Sequence, residues 1–261
     1  MSDLGTGQKP ETRGWGPAVQ RPGVKAPAWA GDDPLVAPGE RTQRQEMARV
    51  FMNHVFGWMA AGLTLSGALA WAVYDGGPLY EFAQPLFFPL IIAELVLVFA
   101  LSATLHKLKA GTAAGLFLLY AALNGLTLGV IVDLYTATSV ARVFFITAGS
   151  YGAMAFIGLT TKRDLSGMGS FLMMGVIALI ITMVVNMFLA STALDWAVSV
   201  IGVLLFAGLT AYDVQKFKKL GYLGFNSSKE ASRMAIAGAL NLYLDFINMF
   251  LFLLRLFGDR R

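Results

Sequence analysis

The sequence predicts an all-α membrane protein with seven transmembrane helices, and three observations lead there. Of its 261 residues, 56% are hydrophobic and only 14% charged, with a mean hydropathy of +0.62, too apolar for a soluble domain of this length. Seven hydrophobic runs stand near residues 50–74, 86–105, 112–134, 141–160, 169–190, 196–215 and 234–254, each close to the ~20 residues a spanning helix needs. Lys and Arg gather in alternate loops between the runs, as membrane topology requires. Cysteine is absent, which excludes thiolate catalysis, disulfides and Cys-based metal centres. The net charge of +4 is spread between the runs; without a basic patch it speaks for topology and against a nucleic-acid partner.

Taken in order, residues 1–45 are expected to be a disordered cytoplasmic tail, because 1–40 mix Pro, Gly and both charges without periodicity. No short apolar core marks a signal peptide there. Residues 46–261 then form the seven-helix transmembrane domain. Arg41, Arg44 and Arg49 precede the first run, Lys107 and Lys109 join the second to the third, and Lys162 and Arg163 follow the fourth. Lys216, Lys218, Lys219, Lys229 and Arg233 lie in the connection 216–233, between the sixth run and the seventh. The alternate loops, 75–85, 135–140 and 191–195, contain no Lys or Arg, which places the N-terminus in the cytoplasm of an inner-membrane protein. Seven spans carry Arg260 and Arg261 outside, against that rule. The last run is nevertheless long enough to span, so a full crossing is expected in preference to a re-entrant helix.

Ser227 and Glu230 match a capping box, which starts the last helix near residue 228, ahead of its apolar run. That brings Asp245 toward the cytoplasmic half of the membrane and the level of Asp213. Gly-Leu-Thr recurs at 62–64, 125–127, 158–160 and 208–210; it reads as close helix packing through small residues, not as an internal repeat.

The ionisable residues within the runs are His54, Glu94, Asp133, Arg142, Asp213 and Asp245. His54, Asp133 and Arg142 lie near helix ends, where a side chain reaches the interface. Asn241, Asp245, Asn248 and Arg255 stand at i, i+4, i+7 and i+14, on one face of a helix otherwise built of Leu, Phe, Ile and Met. A carboxylate there faces lipid only at a cost of roughly 2.5–3.5 kcal/mol, so it must face protein or water. Asp213 and Asp245 sit on consecutive helices and can meet. Two carboxylates in one dry site share a proton and titrate together, which makes a pH sensor. Ionised, they suit a hard cation such as calcium, with Asn241, Asn248 and Glu94 as supporting oxygens. The bland alternative is a protonated Asp245 that only packs.

Four stretches carry a family resemblance: TKRDLSGMGSFLMMG from Thr161, AYDVQK from Ala211, NGLTLG from Asn124 and ALNLYLDFIN from Ala239. Together they resemble the bacterial form of the transmembrane Bax-inhibitor-motif family, from about residue 45 to the end. The resemblance implies six helices in two three-helix layers around a central C-terminal helix. It further implies a pH-dependent calcium leak with paired aspartates on helices six and seven, matching Asp213 and Asp245, no enzymatic activity, and no cofactor beyond calcium as the transported ion. Many members latch the helix-six aspartate with an arginine near the end of helix two; that position is Thr104 here, with His106 and Lys107 nearby. The latch is therefore in question, and the missing arginine predicts a leakier protein.

Other readings stay open. A proton-coupled cation exchanger uses the same acids. A non-transporting regulator that binds a membrane-bound AAA protease makes use of the N-terminal tail. An intramembrane aspartyl protease needs Gly-x-Gly-Asp, where this chain has Leu242, Tyr243, Leu244 and Asp245, and no Pro-Ala-Leu motif follows.

Overall fold

Apolar runs of this length cannot leave backbone amides unpaired in hydrocarbon, so they form helices. The computed structural model describes residues 38–261; residues 1–37 of the expected tail lie outside the described residues. The helices are α1 (Pro38–Val73), α2 (Tyr80–Ala83), α3 (Phe87–Thr104), α4 (Ala110–Val132), α5 (Ala137–Thr160), α6 (Met168–Leu189), α7 (Thr192–Leu223) and α8 (Ser228–Phe257). All but the one-turn α2 are long and apolar enough to cross a membrane, giving seven candidate spans among the described residues. Helix α1 starts ahead of residue 46, where the transmembrane domain was expected to begin.

Helices α1, α3 and α4 pack as one group, α5, α6 and α7 as another, and α8 runs between them against α1, α4, α5 and α7. In α8, 72% of the most apolar window is buried, against 17% in α3 and α6. The outermost helices instead turn large apolar side chains outward, Phe88 and Phe99 on α3, Phe171 and Phe188 on α6, the reverse of a soluble core and the expected state in lipid. All four Gly-Leu-Thr glycines face a neighbouring helix: a Cβ at Gly125 would stand 2.7 Å from the Ser66 carbonyl and one at Gly158 2.5 Å from that of Ala211, while Gly62 meets Phe117 and Gly208 meets Leu172. Close packing accounts for the motif.

The basic connection between the sixth and seventh runs is shorter than its charge pattern implied. Helix α7 continues to Leu223 and ends at Gly224, whose φ of 82° suits a residue without a side chain. Helix α8 begins at Ser228, with the Ser227 hydroxyl accepting from the Glu230 amide at 3.2 Å and Glu230 accepting from the Asn226 amide at 2.9 Å. The loop proper is 224–227, and Lys216, Lys218, Lys219, Lys229 and Arg233 lie on the helix ends.

At its other end α8 completes the crossing. The C-terminal residues pair with the α4–α5 turn, Thr136 N to Asp259 O at 2.9 Å and Arg261 N to Leu134 O at 3.0 Å. Arg261 is 2.8 Å from Asp75 and 3.8 Å from Asp133, and Arg142 is 2.9 Å from Asp259. Of the two arginines that seemed to break the topology rule, Arg261 is thus neutralised by acids from the loops beside it, while Arg260 lies over the Tyr135 ring at 5.9 Å. The re-entrant alternative is excluded, because the C-terminus lies at the end opposite the 224–227 turn.

Candidate functional site

Asp213 sits on α7 and Asp245 on α8, both buried in the packed interface of the two helices. The two carboxylates are close enough to feel each other's charge, and the Tyr151 hydroxyl of α5 lies within electrostatic reach of both. Tyr151 itself donates to Met59 Sδ at 3.3 Å. Asn241, one turn before Asp245, lies beside the Asp213 carboxylate, so one helix supplies the second acid and an amide near the first. Lys216, one turn beyond Asp213, places its ammonium 3.7 Å from Asp213 Oδ1. Asp245 Oδ2 is buried and has no hydrogen-bond partner among the described residues. A buried, unsatisfied carboxylate oxygen is costly and therefore informative.

A cavity of about 530 Å³ opens beside the pair at the basic end, lined by Tyr212, Gln215, Lys216, Met234 and Asn241 among others. It gives Lys216 and Asn241 access to water. Calcium takes 6–8 oxygen ligands, and among the described residues no group of three or more His, Asp or Glu side chains converges. Two carboxylates and one amide fall short of that number.

The remaining expected residues go elsewhere. Asn248 donates to the Leu244 carbonyl of its own helix at 2.8 Å and does not extend the stripe to the pair. Arg255 ends up exposed near the C-terminal end of α8. Glu94 belongs to a separate buried cluster: Oε2 accepts from Asn124 Nδ2 at 3.0 Å and Oε1 from the Thr127 hydroxyl. Thr104 is exposed and donates to the Ala100 carbonyl at 2.6 Å, so no latch forms from it; the His106 side chain lies outside the described residues. The cation beside Asp213 is instead Lys216 of the same helix. It escaped sequence reading because it was assigned to topology, although i+3 spacing from Asp213 was the available signal.

The helix-end residues serve structure. His54 Nδ1 meets the Val50 carbonyl at 2.8 Å, and Asp133 accepts from the Asp75 amide at 2.9 Å.

Comparison with known proteins now bears on this arrangement. Residues 48–261 match the family described as inhibitor of apoptosis-promoting Bax1. The chain belongs to the Bax inhibitor-1 family. The inner membrane protein YbhL of Escherichia coli is 49% identical over 217 residues, covering 82% of this chain and 93% of YbhL. An uncharacterized protein of Deinococcus radiodurans is 44% identical over 215 residues, with 82% and 93% covered. An uncharacterized membrane protein of Streptococcus pyogenes is 36% identical over 227 residues, with 83% and 96% covered.

The stretches that carry the Bax inhibitor resemblance acquire physical roles here. In NGLTLG, Asn124 and Thr127 hold Glu94 while Gly125 and Gly129 let α4 approach α1. In AYDVQK, buried Gln215 clamps the α5–α6 loop, accepting from Leu165 N and donating to Arg163 O, both at 2.8 Å. That loop is further pinned by Asp164, which pairs with Lys219 and accepts from the Ser166 hydroxyl at 2.7 Å. These contacts hold the Asp164 carboxyl well below the usual carboxylate range. The α5–α6 loop is thereby fixed at the mouth of the cavity beside the aspartates.

Proposed function

We propose that this protein is a pH-sensitive calcium leak channel in which Asp213 and Asp245 are the proton sensor and the cation site. The observation that carries the proposal is the buried Asp245 carboxylate with its free Oδ2, set within electrostatic reach of Asp213 between two helices that meet at the basic end. Packing alone would satisfy that oxygen; an intramembrane acid left open marks an ion or proton pathway. When both acids are ionised, their repulsion is relieved by a cation or by separation of α7 from α8. A shared proton removes both needs, so passage follows pH. The charged or titratable groups around the pair are Lys216 on α7 and Tyr151 on α5, and Asn241 on α8 adds an amide.

We place the N-terminus and the 224–227 turn in the cytoplasm of the inner membrane, on the excess of Lys and Arg at that end. A cysteine replacing Ser227 should resist an impermeant thiol reagent in intact cells while one replacing Gly76 reacts; the reverse labelling overturns the orientation. The regulator reading rests on the N-terminal tail 1–40, of which residues 1–37 lie outside the described residues.

The decisive experiment is calcium flux through purified protein in liposomes across about pH 5–8, the range of physiological proton switches. Asp213→Asn and Asp245→Asn should each remove most of the pH dependence, and the double variant should add little, because members of one titrating unit are not additive. Flux that needs an opposing proton gradient would establish an exchanger instead. Single variants that keep the wild-type pH profile would return Asp245 to packing.

A further inference from the structure

At the C-terminal end, the crevice between α6 and α8 has a volume of about 820 Å³, with α7 along its side. Its two walls differ in chemistry. On α6, Ile180, Val184 and Met187 are exposed along one stripe, as side chains that meet acyl chains should be. Across from them, Arg255 and Arg260 line the same crevice. Neither arginine has a carboxylate within 4.0 Å among the described residues. The Arg255 guanidinium lies 5.9 Å from the Phe252 ring centroid, and that of Arg260 lies 5.9 Å from the Tyr135 centroid. Asp195, the acid in the crevice, has its Oδ1 engaged by Asn186 Nδ2 at 2.9 Å.

Depth fixes what such a crevice can hold. Trp196, in the first turns of α7, is 65% exposed and lines the crevice, and exposed Trp marks the boundary between headgroups and hydrocarbon. Arg255 is in the last turn of α8, at the same end of the bundle. Two arginines against one acid, at headgroup depth, with an apolar stripe leading toward the bilayer centre, match one membrane component in both halves.

We propose that this crevice binds a phospholipid whose headgroup carries net negative charge. Its phosphate is held by Arg255 and Arg260, whose planar guanidinium groups suit bidentate phosphate contacts. Its acyl chain lies along Ile180, Val184 and Met187. Asp195 faces the headgroup as the one unfavourable neighbour and excludes a second anion. The lipid fills the space between outer helix α6 and central helix α8. The inference is independent of the calcium reading, since it uses neither aspartate of the pair.

The test is native mass spectrometry of the full chain released from nanodiscs containing equal amounts of phosphatidylglycerol and phosphatidylcholine. The wild type should retain phosphatidylglycerol over phosphatidylcholine by roughly tenfold: both lipids present a phosphate, but the choline ammonium cancels the net charge and is repelled by the two arginines. Arg255→Gln combined with Arg260→Gln should abolish the preference. Arg255→Lys should keep part of it, and Arg49→Gln, at the opposite end, should keep all of it. If the double variant fails to fold, Met187→Glu, which adds a carboxylate at the crevice rim, should give the same loss. Equal retention of both lipids by the wild type, an undiminished preference in the folded double variant or in Met187→Glu, or displacement of the lipid by millimolar inorganic phosphate would each overturn the proposal.

Discussion

On one face of α8, Tyr243 closes a network in which each oxygen of Glu94 is met; about 200° around the same helix, two residues on, Asp245 keeps one oxygen unmet. The Tyr243 hydroxyl donates to Asn124 Oδ1 at 2.8 Å and lies 2.7 Å from Ser66 Oγ, which in turn reaches the Ala121 carbonyl at 2.7 Å. Both clusters place carboxylates within apolar helices, yet the first ties α1, α3, α4 and α8 together and the second leaves a carboxylate open beside a water-accessible cavity. A satisfied buried network specifies and rigidifies a core, whereas an unsatisfied one stores a requirement that a proton or an ion can meet. Burial of an acid alone therefore does not single out a candidate site; the state of its hydrogen bonds separates the two.

The largest expected effect tests that contrast directly. Glu94→Ala strips Asn124 and Thr127 of their acceptor and should cost roughly 2–3 kcal/mol of stability, read as a lowered thermal midpoint in detergent. Its calcium flux, where the protein still folds, should keep the wild-type pH profile. Asp245→Asn should do the opposite, leaving the thermal midpoint unchanged or raised, because a neutral amide is cheaper to bury than an open carboxylate. If both variants lose pH dependence, or both lose stability alike, the two clusters are one system and the contrast fails.

The second test concerns the cation beside Asp213. Lys216→Gln removes a charge that favours ionised carboxylates, so the midpoint of the flux profile should move to higher pH, by up to about one unit for a half-exposed lysine. With Lys216 present, Thr104→Arg should change flux little, because a counter-ion already stands at Asp213. In the Lys216→Gln background the same substitution should lower flux. Equal reduction in both backgrounds would show that Thr104, not Lys216, occupies the place of the latch.

What the sequence revealed and what it hid follow from range. Seven runs, the start of α8 at the Ser227 cap and the two aspartates were legible because each depends on spacing within a single segment. Asp213 and Asp245 could be expected to meet because their helices are consecutive, and they lie within electrostatic reach of each other. Glu94 was misassigned to their stripe because its neighbours, Asn124 and Thr127, come from α4, and no pattern within α3 announces them. Asn248 looked like a ligand by helical periodicity, yet its amide donates to the Leu244 carbonyl of its own helix. Arg261 looked misplaced until the chain was folded, since Asp75 and Asp133 become its partners only when the ends of α1 and α4 meet the C-terminus.

The smallest effect sharpens the comparison from outside the membrane. Asp164 pairs with Lys219 at the mouth of the cavity, with 45% of the Asp164 side chain exposed, so solvent screens the pair and its contribution is at most about 1 kcal/mol. The sign follows from the depressed carboxyl. The folded state binds this proton more weakly than the unfolded state, so the contribution is fully present above the ordinary carboxylate range near pH 4. It is lost as pH falls through the lower, folded value. Asp164→Asn should therefore lower the thermal midpoint slightly at pH 7, and the difference from wild type should vanish toward pH 2. Across about pH 5–8 the Asp164 carboxyl stays ionised, so this variant should leave the shape of the calcium profile intact. A profile that flattens in Asp164→Asn would mean that the α5–α6 loop, and not the buried aspartates, senses the proton.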